Sequence, residues 1–274
     1  YLHNNNLKKL YVMKNIFLLK FVILSLIFSS CEEEEEMVVN PATARVQVIH
    51  NSADLAAASV DIYLNNTLLI DNFNFRTASP FIDAPAGEEI TISVAPSTSM
   101  SSSQALASFN YTLEENATYI LVANGVVSPV GYSPIKNFTI EVFGMGREMA
   151  NNAANTDLLV LHGSTDAPTV DVVETGVGAG TIIDNASYGD FAGYLELATA
   201  DYTLEIRDES GQTTVASYEA PLSTLNLMGA SGVVVASGFL NPTNNSNGEA
   251  FGLFVALPSG GDLVALPASK TANF

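Results

Sequence analysis

Two short clusters bring together side chains of the types that perform nucleophilic chemistry. They are His50, Ser52, Asp54 and Asp61, and further along the chain His162, Ser164, Asp166 and Asp171. A serine nucleophile needs a base within hydrogen-bond reach and a third group to orient that base. Residues two apart on an extended strand share a face, so the His and Ser of each cluster can point the same way. Both clusters lie beside a loop, however, where Ser and Asp side chains cap backbone amides and a histidine packs at the strand end. A structural turn motif is therefore the first expectation, and a hydrolase or metal-dependent enzyme the alternative. Asp54 with Asp61, and Asp166 with Asp171, also offer hard oxygen ligands for calcium, although the spacing lacks the dense acids and glycine of an EF-hand loop. Zinc fits less well, because His50 and His162 fall in different clusters and no thiol accompanies them. No cofactor is expected.

The run Gly176-Val177-Gly178-Ala179-Gly180 invites a phosphate-loop reading, but no helical segment follows it to hold an anion at its N-terminus. A hairpin loop accounts for it. Six aromatics are candidates for stacking on sugar rings: Phe73, Phe75 and Phe81, then Tyr188, Phe191 and Tyr194. Aromatics in such segments more commonly build a core.

The elements that carry these residues are short runs rich in Val, Ile, Thr and Tyr, punctuated by Gly, Pro, Asn and Asp. This pattern predicts strands throughout, at 59–64, 90–94, 119–122, 138–142, 202–206 and 233–236. Asn65-Asn66 predicts a tight hairpin, since Asn tolerates positive φ. The strands come twice. Arg45–Asp54 and Asp157–Asp166 share the pattern apolar-apolar-His-x-Ser-x-Asp, and each continues into a Val-Asp pair, Val60-Asp61 and Val170-Asp171. Ile70-Asp71-Asn72-Phe73-Asn74-Phe75 then parallels Ile183-Asp184-Asn185-Ala186-Ser187-Tyr188, and 85–92 parallels 198–206. Landmarks repeated in the same order indicate a duplication.

The second copy carries a specific likeness. His162-Gly163-Ser164-Thr165-Asp166-Ala167-Pro168-Thr169-Val170-Asp171-Val172 resembles the opening motif of the DUF4397 family, a domain of unknown function found in secreted bacterial proteins. The first copy departs from it, with Leu55-Ala56 in place of Ala-Pro and a longer loop. The resemblance covers most of Arg45 to about Val235. It implies a fold and no activity.

The ends of the chain speak of address. Lys14, an apolar stretch broken by Lys20, and Phe21–Phe28 have the layout of a secretory signal peptide starting at Met13, with residues 1–12 read as upstream sequence. A spanning helix needs about 20 apolar residues, and Lys20 divides the run. Phe28-Ser29-Ser30-Cys31 resembles the bacterial lipobox, which implies acylation of Cys31, the only cysteine, and a membrane anchor. Glu32, Glu33, Glu34, Glu35 and Glu36 follow as a solvated, self-repelling tether. They also resemble the surface-export signal of Bacteroidetes-type lipoproteins, which implies the outer face of the outer membrane.

The full chain carries a net charge of −19. No acidic residue precedes position 31, and the segment beyond it sets 29 acidic against six basic groups, a net −23. Such a surface repels nucleic acid. The organisation expected is therefore upstream residues and signal peptide over 1–30, an acidic tether over 31–43, and two repeats over 44–146 and 156–274. The fold class is all-β, two tandem immunoglobulin-like or Greek-key β-sandwiches. Met145 to Asn155 is expected to be a linker, Phe251–Pro258 a closing strand of the second sandwich, and Val264–Pro267 a segment along its edge. The expected role is a non-catalytic surface module for binding or spacing, with a glycan or an envelope protein as partner.

Overall fold

A computed structural model describes residues 41–270. Cys31 and Glu32–Glu36 lie outside the described residues. The first repeat runs through β1 (Thr43–His50), β2 (Ser59–Leu64), β3 (Thr67–Asn74), β4 (Thr77–Ala78), β5 (Ile82–Pro85), β6 (Glu89–Pro96), β7 (Ala107–Thr112), β8 (Thr118–Asn124) and β9 (Thr139–Phe143). The second runs through β10 (Asn155–His162), β11 (Val170–Glu174), β12 (Gly180–Ala186), β13 (Phe191–Ala198), β14 (Asp201–Asp208), β15 (Thr214–Pro221), β16 (Ser231–Ser237) and β17 (Gly252–Ala256). A tail adds β18 (Gly261–Asp262), β19 (Val264–Ala265) and β20 (Ala268–Lys270). The fold is all-β.

Each repeat is a sandwich of an outer and an inner sheet. The outer sheets run β3-β2-β6-β7 and β12-β11-β14-β15-β20. The inner sheets run β18-β4-β1-β8-β9, with β5 also on β1, and β13-β10-β16-β17-β19. At the centre of each inner sheet two strands far apart in sequence lie parallel, β1 with β8 and β10 with β16. These strands read as almost unbroken apolar runs, Val46–Ile49, Ile120–Ala123, Leu158–Leu161 and Val233–Val235, as expected of strands covered on both faces. The cover on the second face is the other repeat. Ile49, Ile120, Val122, Leu159, Leu161, Val233 and Val235 form one buried cluster between the inner sheets, with Phe143, Phe191 and Tyr194 packed against it. Separate clusters fill each sandwich. The result is a stack of four sheets with a core at each of its three sheet-to-sheet contacts, and a smaller cluster of Val126, Tyr132 and Phe239 lies beside them.

Two connecting segments carry contacts that the sequence did not show. The segment expected to be a linker joins β9 to β10 and is pinned by its charged side chains. Arg147 donates to Asp157 at 2.6 Å and Glu196 at 2.7 Å while its guanidinium lies 4.2 Å from the Tyr194 ring centre. Glu148 receives Arg45 in two hydrogen bonds of 2.8 and 3.0 Å. Gly, Asn and Ala dominate the segment, but its few charged side chains fix it. The tail, assigned whole to the second repeat, is shared. β17 and β19 extend the second inner sheet, whereas β18 pairs with β4 of the first. The crossing is tied by the buried Gln47, whose amide donates to the carbonyls of Ser79 and Leu257. It also requires Gly260 at φ +70°, where a Cβ would lie 2.4 Å from the Pro80 nitrogen.

A second staple joins the repeats. Arg76 donates to Ser237 Oγ and to the carbonyls of Ser237 and Ala250, with its guanidinium 3.9 Å from the Phe254 ring centre.

Candidate functional site

The motif loops of both copies follow the C-terminal ends of β1 and β10 and meet at one pole. Asn51 donates to the Gly163 carbonyl across the boundary between repeats. With β1 eight residues long, this pole lies about 25 Å from the β1 start.

The two copies use their motif residues alike. Ser52 Oγ donates to the Gly125 carbonyl at 2.7 Å, and Ser164 Oγ to the Gly238 carbonyl at 2.7 Å. Asp54 accepts from the Ser128 amide, the Ser128 and Tyr132 hydroxyls and the Ala56 amide. Asp166 accepts from the amides of Leu240 and Asn241 and from Asn245. Ser and Asp thus tie the end of the first strand of each repeat to the segment leaving its parallel partner. Asp61 Oδ1 accepts from the Asn72 amide, and Asp171 Oδ1 from the Asn185 amide, both at a bulge where the hairpin register slips. Asn72 and Asn185 each sit at φ 54°, which Asn tolerates.

No nucleophile is assembled. His50 is fully buried, its Nε2 donates to the Ala57 carbonyl at 2.7 Å, and its Nδ1 accepts from the Ser52 amide. His162 Nε2 donates to the Pro168 carbonyl at 3.0 Å. In neither copy is the serine hydroxyl bonded to the imidazole; each lies 2.7 Å from a backbone carbonyl, and Ser164 Oγ is also 3.3 Å from Asp166 Oδ1. Burial lowers the pKa of both histidines, to about 4 for His50. At Asp54 burial pushes the carboxyl up, but the amides of Ala56 and Ser128 and the hydroxyls of Tyr132 and Ser128 outweigh it and hold the group below its ordinary value. Within each copy the two carboxylates face different donors, and no His, Cys, Asp and Glu group of three or more able to hold a metal occurs among the described residues.

Ser52→Ala or Ser164→Ala would leave a buried carbonyl without its donor. Each is expected to cost about 1–3 kcal/mol, read as a lowered urea midpoint. An unchanged midpoint would deny the tie.

The glycine run has its own occupant. Glu174, buried, accepts from the amides of Gly176, Val177 and Ala179 at 2.7–3.1 Å. Burial raises its pKa, but those amides outweigh the effect and keep it lowered. The anion that this loop cradles is the chain's own carboxylate, and the acid two residues before the first glycine was the legible signal.

Most of the candidate aromatics are structural. Phe73 and Phe81 are buried, and Phe191 and Tyr194 pack into the inter-repeat core. Phe75 stands edge-on to His50 and under Arg76. Tyr188 differs. It lines an open groove of about 410 Å³ at the motif pole together with Pro134, Lys136, Thr165, Asp166 and Ser187. Lys136 Nζ lies 5.4 Å from the Tyr188 ring centre, and the Thr165 and Tyr188 hydroxyls are buried without partners. Arg45, Arg76, Arg147 and Arg207 each meet a carboxylate, whereas Lys136 pairs with none among the described residues. Lys136 was missed in the sequence, although no other lysine occurs between positions 21 and 269.

No curated protein matches the chain in sequence. Among solved structures, a streptococcal virulence factor studied for alpha-glucan binding overlaps 70% of this chain and 92% of its own at 8% identity and a TM-score of 0.23. A family 41 carbohydrate-binding module from streptococcal virulence factors overlaps 70% and 93% at 10% identity and a TM-score of 0.21. A candidate adhesin from Bacteroides ovatus overlaps 84% and 96% at 10% identity and a TM-score of 0.21. Overlaps this weak say nothing of function. A family model does match, once per repeat, over residues 44–143 and 156–241, and the chain belongs to that family, the domain of unknown function DUF4397.

Proposed function

We propose that this chain is a non-catalytic lipoprotein of the bacterial outer membrane. It is acylated at Cys31, carried to the cell exterior by the signal in Glu32–Glu36, and acts as a surface binding module. The observation that carries the binding role is the groove at the motif pole. It combines an aromatic ring with an ammonium that meets no carboxylate among the described residues, in an otherwise strongly acidic protein. Hydroxyl-rich ligands offer matching donors and acceptors, so a glycan is the partner that this set fits best. The motif serines and His50 support the non-catalytic part of the reading, because their hydrogen bonds are made within the fold and neither serine hydroxyl is bonded to an imidazole.

The test uses whole cells bearing the intact protein and a panel of fluorescent polysaccharides, compared across wild type, Cys31→Ala and the double variant Lys136→Ser, Tyr188→Ser. The expected result is cell-surface labelling by at least one polysaccharide, lost when Cys31 is replaced and reduced tenfold or more in the groove variant. Labelling that survives the groove variant would move the binding site elsewhere. Wild-type protein protected from external protease would overturn surface exposure.

A further inference from the structure

The two halves of the fold share the position of an ion pair and fill it differently. In one half Arg76 Nη1 lies 3.8 Å from Glu249 Oε2. Backbone hydrogen bonds identify the equivalent residues in the other half. The Arg76 amide donates to the His50 carbonyl as the Gly189 amide does to that of His162. The Glu249 carbonyl accepts from the Phe239 amide as the Lys136 carbonyl does from that of Val126. Lys136 therefore stands where Glu249 does, with the sign reversed, and its partner's position is a glycine with no side chain to answer it. No carboxylate among the described residues supplies the missing charge. Asp166 lines the same groove, but its oxygens accept from the amides of Leu240 and Asn241 and from Asn245. Glu141 lies 3.6 Å from where a Gly189 Cβ would stand, yet forms no ion pair with Lys136.

We propose that the groove takes a carboxylated sugar, a uronic acid residue within an otherwise neutral glycan, whose carboxylate pairs with Lys136. This rests on the glycan-binding reading above and narrows it. An exposed lysine needs no partner in water; its surroundings mark this one. Its Nζ lies 5.4 Å from the centre of the Tyr188 ring, and both residues line one groove of about 410 Å³. That volume falls in the range of small-ligand sites, about 300–1,000 Å³. An ammonium offers three donors, and an aromatic ring beside it offers a face for a sugar ring carrying the carboxylate. A single cation in a chain of net charge −19 matches one carboxylate and not a run of them. Polyuronates and sulfated polymers meet the surrounding acid, whose repulsion reaches about 10 Å at 0.1 M salt.

The test is an NMR titration of the intact protein that follows the Lys136 side chain and the Tyr188 ring. The probes are methyl glucuronide and methyl galacturonide, each against its neutral glycoside, with sodium acetate as a carboxylate without a sugar. Saturable shifts of both residues are expected with at least one uronide, which binds about threefold or more tighter than its neutral counterpart, the scale of an exposed ion pair. Lys136→Gln should remove that preference while Tyr188 still responds to the sugar, and Lys136→Arg should keep it. Equal affinity for uronide and neutral glycoside, or a preference that survives Lys136→Gln, overturns the carboxylate contact and leaves the glycan reading standing. Acetate binding as tightly as the uronide overturns the sugar and reduces the site to a simple anion site. No saturable shift of Tyr188 with any sugar overturns both readings.

Discussion

Gly238→Ala is expected to lower the unfolding free energy by about 3 kcal/mol or more, and Gly125→Ala by a similar amount. Gly238 has φ +84° and Gly125 φ +80°, a region costing a residue with a Cβ about 1–2 kcal/mol. The larger cost is steric. A Cβ at Gly238 would lie 2.4 Å from the Ala250 carbonyl oxygen and 2.6 Å from Arg76 Nη2, and one at Gly125 would lie 2.3 Å from the Asn137 carbonyl oxygen. Overpacking against backbone adds about 1–3 kcal/mol. The carbonyls of the same two glycines receive Ser164 and Ser52, so relief by backbone movement would break the ties made by the motif. Gly193→Ala provides the control: its φ is +80° with nothing within 4 Å of the added Cβ, so only the conformational cost of about 1–2 kcal/mol applies. Urea unfolding of the three variants distinguishes the cases. Equal losses at Gly193 and Gly238 would mean that the close approach is absent.

Acid should weaken the fold as the pH falls from 6.5 toward 4. Burial lowers the His50 pKa from 6.5 to about 4, with only partial opposition from the Ala57 carbonyl. Between those values an unfolded chain takes up a proton that the folded chain refuses. Stability contributed by the neutral imidazole is therefore complete above pH 6.5 and declines as pH falls toward 4, by roughly 3 kcal/mol in all. His162, lowered by the same cause, acts in the same direction. Asp54 extends the loss to lower pH, because a carboxyl held below its ordinary value stabilises only while ionised. Urea midpoints at pH 7 and pH 4.5 check the expectation, and an NMR titration of His50 identifies the group. Equal midpoints, or a His50 resonance titrating near 6.5, would refute it.

The all-β character and the duplication were legible because alternation, turn residues and the repeated His-x-Ser-x-Asp leave local marks. Asn65-Asn66 is one such mark, adopting φ 47° and 69° in the β2–β3 turn. The parallel pairing of β1 with β8 leaves none, since its partners are joined only in space; the apolar run at Val46–Ile49, interrupted only by Gln47, hints at two-sided cover but names no cover. The inter-repeat core was hidden for the same reason. Phe191 and Tyr194 read equally well as ligand contacts or as packing until the facing sheet is known. Within the motif, residue types were visible and hydrogen-bond partners were not. Gly125 and Gly238 lie far along the chain from the serines they receive. Lys136 is the opposite case, conspicuous by scarcity alone.

The crossing of β18 onto the first repeat bears on how the chain acquires its shape as it is made. Delivered N-terminus first, it presents β1 and β4 long before residues 261–262 arrive to pair with β4. The inner sheet of the first repeat also lacks its second cover until β10 and β16 have formed. Early-emerging strands therefore expose apolar faces and a bare edge, the condition that invites misassembly during slow, long-range β pairing. A run of repelling charges ahead of those strands, as in Glu32–Glu36, and the strongly acidic chain that follows keep neighbouring nascent chains apart during that interval. The net charge of the chain thus opposes association between copies before folding is complete as well as after it.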